Sequence, residues 1–367
     1  MAPPRSGDGD APTDESSVDS DVPADGDADA PADEPSEVAA AVDEYGGEFA
    51  AALESALAGR SGVVAVGVPL GLLPPLLAAR RRTEDPAPWR IACRPGAVDA
   101  LGRAVVLGTA VAEVVATGEF ELRTLVGNGG QDGATDTETA ARPLAFATPD
   151  RVDAVAGPRP DRTLVSESGG ETAAAHEAAT ARFEAATPAT VEMPPRTRLL
   201  DAARETLDDR FADDVAAVLD ALDHGAVGRT GTVTDRTLLV ALAARHDHLF
   251  RDLRRWVDGA GGAGGGDGDS DDTRRGADRV AVAPGQELTA DRRALVERGL
   301  IESIRVPMGP GRPRIRLRAV DEALLRAEPP EVLSVLRGRF ALPLDEDGTL
   351  RRGPGGGGRR PVWDREG

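Results

Sequence analysis

"MGPGRPRIRLRAV", residues 308–320, places Arg at 312, 314, 316 and 318 in a chain whose net charge is −20. Strict alternation has the period of a β-strand, so the four guanidinium groups share one face. Ile315, Leu317 and Ala319 alternate with them and face a core. Met308-Gly309-Pro310-Gly311 is turn chemistry, and "LIESIRVP", residues 300–307, reads as a strand just before it. The stretch is therefore the second strand of a hairpin with a basic outer face. Such a face is either a solvated edge that uses charge to block aggregation or a surface for a polyanion.

The upstream elements favour the second use. "TDRTLLVALAARHD" (234–247) is a helix with Leu238, Leu239 and Leu242 inward. "HLFRDLRRWVDG" (248–259) is a second, with Leu249, Phe250, Leu253, Trp256 and Val257 on one stripe. "GQELTADRRALVERG" (285–299) is a third, ending at Gly299 in a C-cap position. Helix, helix, helix, strand, turn, strand is the layout of a winged helix-turn-helix. The hairpin is then a wing lying along a phosphate backbone while the third helix enters the major groove. Arg suits the task because its planar fork pairs bidentately with phosphate and guanine. The candidate DNA contacts are Gln286, Thr289, Arg292 and Arg293 from a recognition helix near 285–298, and Arg305, Arg312, Arg314 and Arg316 from a wing near 305–318. Glu287 and Asp291 lie on the same helix and would repel phosphate unless they point away from it.

Charge along the chain is uneven. Residues 1–40 hold twelve Asp or Glu and one Arg, whereas 303–320 hold five Arg and no acid. All 43 Lys-plus-Arg positions are Arg. An acid excess of this kind fits concentrated salt, where the Debye length shrinks to roughly 3 Å and self-repulsion costs little. The composition reads as that of a haloarchaeal cytoplasmic protein. The acidic N-terminus has no apolar core, so no secretory leader is expected. The longest apolar run, residues 62–79, carries three Pro and three Gly; it reads as a strand, a turn and a helix rather than a membrane span.

Residues 1–42 are Asp, Ala, Pro, Ser and Gly with few large apolar side chains, and are expected to be disordered. Residues 43–190 alternate as β-α-β-α-β-β-β-α, which implies an α/β sandwich with a mixed sheet; because it lacks a catalytic constellation, this domain is expected to be a sensing or dimerising regulatory module. Residues 191–224 form one connecting amphipathic helix, with Leu200, Leu207, Phe211, Val215, Val218 and Leu222 at helical spacing. That stripe is a face packed on its own chain or a homodimer seam. Residues 225–340 are the winged helix-turn-helix, interrupted by a Gly/Asp-rich insertion at about 259–276. Its last helix contributes Leu324, Leu325, Val332 and Leu336. Residues 341–367 form a flexible tail. The fold class is α+β multidomain.

Catalytic constellations are absent. "VGVPLGLLPP" is not a dinucleotide-binding fingerprint, and a phosphate-binding GKS/T loop needs a Lys. Cys93 is alone in "WRIAC", a buried structural thiol. His246 and His248 in "HDH" would diverge on a helix, so they read as a surface pair rather than metal ligands. His176 and His224 are isolated and read as solvent-facing. No enzyme activity, cofactor or metal is expected. Arg94, near a helix start, is a candidate anchor for a phosphosugar or other small-molecule effector. The rival reading is a non-catalytic small-molecule-binding or protein-interaction α/β module that has lost strong DNA contact.

"ALVERGLIESIRVPMGPGRPRIRLR", with "LLVALAARHDHLFRDLRRWVDG" upstream, resembles the haloarchaeal TbsP-type transcriptional regulators. The likeness is most specific at Gly299-Leu300-Ile301 and Gly311-Arg312-Pro313-Arg314, and extends more faintly over about 45–340. It implies a winged-helix regulator of central carbon metabolism genes with double-stranded promoter DNA as its partner. The insertion falls between the second and third helices, where the family runs straight through.

Overall fold

The computed structural model describes residues 41, 44–45, 47–126, 143–158, 161–222, 233–258, 285–307 and 313–342. The acidic segment expected over 1–42, the insertion at about 259–276 and the tail over 341–367 lie outside the described residues, except for 41, 341 and 342.

The first half is built on a seven-stranded mixed sheet in the order β6-β5-β4-β1-β2-β3-β7. The strands are β1 (Val64–Val68), β2 (Trp89–Cys93), β3 (Phe120–Thr124), β4 (Ala145–Ala147), β5 (Arg151–Ala156), β6 (Thr163–Ser168) and β7 (Thr187–Pro188). β1, β2 and β3 run parallel at the centre, and every flanking pair is antiparallel. The order read from the sequence has five strands; the structure has four consecutive strands, β3 to β6, where that order has three, and adds β7 after the last helix.

Alternation along the central strands sets the two faces. Val63, Ala65, Ile91, Cys93 and Leu122 pack under α1 (Gly47–Leu57), α2 (Leu73–Arg81), α3 (Ala97–Leu101) and α4 (Val105–Ala116). Val64, Val66 and Ala92 meet Phe183 of α5 (Thr172–Glu184) on the other face. Gly67, with φ of 86°, sits in a register shift between Val66 and Val68. The shift turns Val68 back to the side of Ala65. The apolar run at 62–79 divides into β1, a 3-10 turn at Leu70–Leu72 and α2. Pro74 and Pro75 are tolerated because they occupy the first turn of α2, whose amides have no intrahelical acceptor. Among the described residues, no helix is long and apolar enough to cross a membrane.

Cys93 is fully buried, and desolvation pushes its pKa up to about 12. A thiol reagent at pH 8 is expected to modify it only at the rate of chain opening, so addition of denaturant should accelerate labelling by orders of magnitude.

The connecting helix expected over 191–224 is two helices, α6 (Arg196–Thr206) and α7 (Asp209–Ala221). The apolar period runs through the break, which is why the sequence reads as continuous. The Asp208 carboxylate accepts from the Phe211 amide at 2.8 Å and starts a new helix, while Leu207 leaves helical geometry. Both helices pack into the C-terminal core through Leu199, Ala203, Phe211, Val215 and Val218. The stripe is thus covered by its own chain.

That core surrounds α8 (Asp235–Arg245), whose residues Thr237 to Ala244 are all buried. Around it lie α9 (Phe250–Val257), α10 (Gly285–Glu297), the antiparallel pair β8 (Ile301–Val306) and β9 (Arg314–Ala319), α11 (Glu322–Arg326) and α12 (Val332–Phe340). The single last helix expected from the sequence is thus α11 and α12, separated by a 3-10 turn at Pro329–Glu331. Pro329 and Pro330 force the break. Leu325, expected inside, is 51% exposed, whereas Leu324, Val332 and Leu336 are buried.

Gly299 ends α10 with φ of 66°. Its amide bonds Val296 O at 2.9 Å and the Leu300 amide bonds Leu295 O at 3.0 Å, the two bonds of a Schellman cap. An added Cβ would meet nothing within 4 Å. Gly299→Ala is therefore expected to cost only the backbone term, about 1 kcal/mol in chemical denaturation.

Candidate nucleic-acid interface

Helix α8 begins with a reciprocal cap between Thr234 and Thr237 and ends at a turn in which Asp247 has φ of 56°. Asp tolerates that left-handed geometry better than most residues. The turn lays residues 248–249 beside β9: Leu249 bridges Arg316, and the Leu317 amide donates to His248 O at 2.9 Å. β9 therefore has backbone partners on both sides, β8 on one and this short bridge on the other. The solvated-edge reading of the Arg-alternating strand does not hold at Arg316–Leu317, because the edge is occupied.

His246 and His248 do not diverge, because the left-handed turn at Asp247 swings both rings toward α7. Their ring centroids are 5.9 Å apart, and both pack edge-on to Phe211. His246 Nε2 lies 2.9 Å from Asp214, and His248 lies 3.5 Å from Asp208. Burial lowers the His248 pKa most, with the nearby Asp208 charge opposing it. Both rings are mostly covered, so the expected surface pair is an interior contact between α7 and the winged helix. No group of three or more metal-ligating side chains occurs among the described residues. His176, expected in solvent, is partly buried with Nε2 3.3 Å from Gly62 O; His224 lies outside the described residues.

The hairpin register shows which side each arginine takes. Val306 pairs with Arg314, Ile304 with Arg316 and Glu302 with Arg318, so these three arginines share the outer face. Ile315, Leu317 and Ala319 alternate inward; Leu317 and Ala319 are buried and Ile315 packs against the core. Arg318 is held by Asp247 at 2.9 Å. Arg305 pairs with Ile315 and therefore projects from the opposite face to Arg314 and Arg316. Arg312 and the turn at 308–311 lie outside the described residues. The Nε of Arg316 is buried with no acceptor among the described residues.

On α10, Leu288 and Leu295 anchor the helix in the core. Asp291 is also turned inward and is only 12% exposed. It accepts from Thr237 Oγ1 at 2.6 Å and Thr234 Oγ1 at 3.3 Å, and Arg236 lies 3.4 Å away. Its charge is thereby withdrawn from the outer stripe. Arg292 leans inward as well. It donates to Ser303 Oγ at 2.8 Å and covers the Phe250 ring at 5.1 Å, and burial together with the Arg293 charge lowers its pKa. Arg293 is exposed and Thr289 partly so, beside exposed Ala290, Val296 and Glu297. The side chains of Gln286 and Glu287 lie outside the described residues. Of the four helix candidates, the fold presents Arg293 and Thr289 outward and turns Arg292 in.

Sequence reasoning found α9 but overlooked its arginine face. Burial of Phe250, Leu253, Trp256 and Val257 leaves Arg251, Arg254 and Arg255 on the exposed side. The apolar stripe was already enough to show this, since residues between its members must face out. In helix-turn-helix docking the helix before the recognition helix crosses the backbone, where such cations are useful. Arg251, Arg254, Arg293, Arg305, Arg314 and Arg316 make no ion pair among the described residues. Elsewhere many arginines are neutralised, as in Arg82–Glu54, Arg196–Asp220 and Arg339–Asp321.

In the α/β half, the effector anchor Arg94 gives its Nε to Gly67 O at 3.1 Å. A groove of about 550 Å³ opens instead at the amino ends of β1 and β2, lined by Arg60, Ser61, Arg90, Asp150 and His176 among others.

Residues 38–194 match the family described as transcriptional regulator TbsP-like, N-terminal. Residues 195–264 and 263–337 match its companion, the TbsP-like C-terminal HTH domain. The second match is in two pieces that meet inside the Gly/Asp-rich tract. It also begins at 195, which assigns α6 and α7 to the HTH half, in agreement with their packing. No curated protein and no solved structure matches the chain. With both halves accounted for, this chain belongs to the TbsP-like transcriptional regulators, DNA-binding proteins with a helix-turn-helix domain.

Proposed function

We propose that the chain is a haloarchaeal regulator of central carbon metabolism genes that binds promoter duplexes with α10 in the major groove and the outer face of β9 on the backbone. The observation that carries the docking is the set of arginines on α9, α10, β8 and β9 left without ion pairs in a chain of net charge −20. An acidic chain that pairs many of its other arginines, though not Arg81, Arg182 or Arg210, gathers six without ion pairs on these helices and strands, where phosphate can meet them. The composition supports the salt-adapted host, and the resemblance supports the gene class. The α/β half is the sensing module, and its Arg60–Arg90–His176 groove suits a small anionic effector.

Chromatin immunoprecipitation of the tagged protein in its host tests the whole reading, and no enrichment at any promoter would end it. At the level of residues, Arg293→Ala should relax preference at one or two base pairs by about 1–3 kcal/mol each, measured against a panel of single-base operator variants. Arg292→Ala should instead lower stability and leave the base preference unchanged, because Arg292 is committed to Ser303 and Phe250.

A further inference from the structure

Four consecutive residues, Thr234-Asp235-Arg236-Thr237, touch both halves of the chain. On one side, Asp235 Oδ2 accepts from the Val106 amide at 3.2 Å, and the carboxylate also accepts from the Val105 amide. These are the first two residues of α4, whose own N-cap, Ala104, supplies no side-chain acceptor. Asp235 therefore caps a helix of the α/β half from within the HTH half. Val105 and Val106 are buried in the C-terminal core, so the same helix end is fixed by packing as well. Asp235 is partly buried, and desolvation pushes its pKa up to about 6 against the two amides, so at pH 7.5 it is mainly a carboxylate.

On the other side, the same helical turn holds the recognition helix. Thr237, Thr234 and Arg236 all converge on Asp291. Asp291 sits in the middle of α10, between the core residues Leu288 and Leu295 and next to Arg292 and Arg293. A displacement of the start of α4 must therefore move the first turn of α8, and with it the rotation of α10 about its own axis. An acid in the first turn of α8 suits that helix's own dipole, but the amides from which Asp235 accepts belong to the α/β half.

We propose that Asp235, Thr237 and Asp291 are positioning residues that set α10 for DNA and tie that setting to the start of α4, so that the α/β half governs DNA affinity through this corner. The proposal rests on the DNA-binding reading above. It deepens it by assigning the route between the two halves.

The test uses the full chain at pH 7.5, well below each variant's melting temperature, with a duplex selected from a randomised pool by the wild-type protein. Thr237→Val removes the hydroxyl at constant shape and is expected to raise Kd at least tenfold with an unchanged salt slope; Thr237→Ser should restore it to within threefold. Asp235→Ala removes a negative charge, which by general electrostatics tightens binding to a polyanion. The positioning role predicts the opposite sign, a Kd raised at least fivefold. Hydrogen exchange separates this proposal from the reading it rests on. Among the described residues Asp235 bonds none of α10 directly, yet Asp235→Ala should speed exchange of the α10 amides at least fivefold, whether or not DNA is present. Unchanged α10 exchange, or variants that melt earlier but bind as tightly as wild type, would overturn the coupling. Faster α10 exchange in a chain that selects no duplex would sustain the coupling and overturn the DNA reading alone. If Thr237→Val does not fold, Asp235→Ala and its exchange pattern still decide.

Discussion

Replacing Arg314 and Arg316 together with alanine is expected to weaken binding to every duplex by a similar factor, at least about 150-fold in moderate salt. Both project from the outer face of β9, two residues and about 6.6 Å apart along the strand, close to the spacing of successive backbone phosphates. Neither has an ion-pair partner among the described residues, so no internal ion pair is lost with them. A hydrogen bond to a charged group contributes about 1.5–3 kcal/mol, which sets the scale for each arginine. Phosphate contacts position the protein without reading bases, so the ranking of operator variants should survive. The slope of log K against log salt should fall by about 0.9 for each contact removed. Near saturating salt that counterion term shrinks and guanidinium geometry carries more of the affinity. The Arg314→Lys, Arg316→Lys double variant should then recover binding in dilute salt better than in concentrated salt. Wild-type affinity of the alanine pair at every salt concentration would show that this face is only solvated.

Trp256→Ala is expected to destabilise the chain by about 3–5 kcal/mol in chemical denaturation. Trp256 is 1% exposed and meets Phe211 edge-on with centroids 5.2 Å apart. Its Nε1 donates to Leu199 O at 3.2 Å. Three losses therefore coincide: the buried volume, an aromatic pair contributing about 0.5–1.5 kcal/mol, and the indole's hydrogen bond to a carbonyl of α6. Trp256→Phe retains much of the ring contact and should cost roughly half as much. Because Trp256 is the point where α6 and α7 lock onto α9, the alanine variant should also expose the 196–221 segment to proteolysis before the rest. A change under 1 kcal/mol would mean that these helices are held by something other than this contact.

Much of the architecture was legible because it depends on periods. The two-residue alternation of 314–319 and the helical stripe Phe250, Leu253, Trp256, Val257 are properties of local geometry, and the structure places both sets as their spacing demands. Gly299 was readable for the same reason, since a left-handed residue after a helix is a local requirement. The acid excess and the Arg-only cations are compositional and need no fold.

The misread positions share another cause. Asp208 interrupts α6–α7 with a side-chain bond that leaves the apolar period untouched, and the Asp247 turn brings together two histidines that a continuous helix would separate. Arg292 and Arg293 are neighbours of identical chemistry, and only the proximity of Ser303 and Phe250 sends one inward and leaves the other free. Arg305 lies in the same basic stripe as Arg314, yet the pairing register puts them on opposite faces. Asp291 could have repelled DNA, and Asp235 could have been an ordinary first-turn acid. Their roles depend on Thr237 and on the amides of Val105 and Val106, the latter more than 120 positions away from Asp235 in the chain. By itself, then, the sequence determined which elements form and which of their faces are apolar, because backbone geometry imposes those periods locally. The tertiary structure alone decided which charges are neutralised and which remain available, because an ion pair or hydrogen bond depends on a distance of a few ångströms between groups that may be remote in the chain.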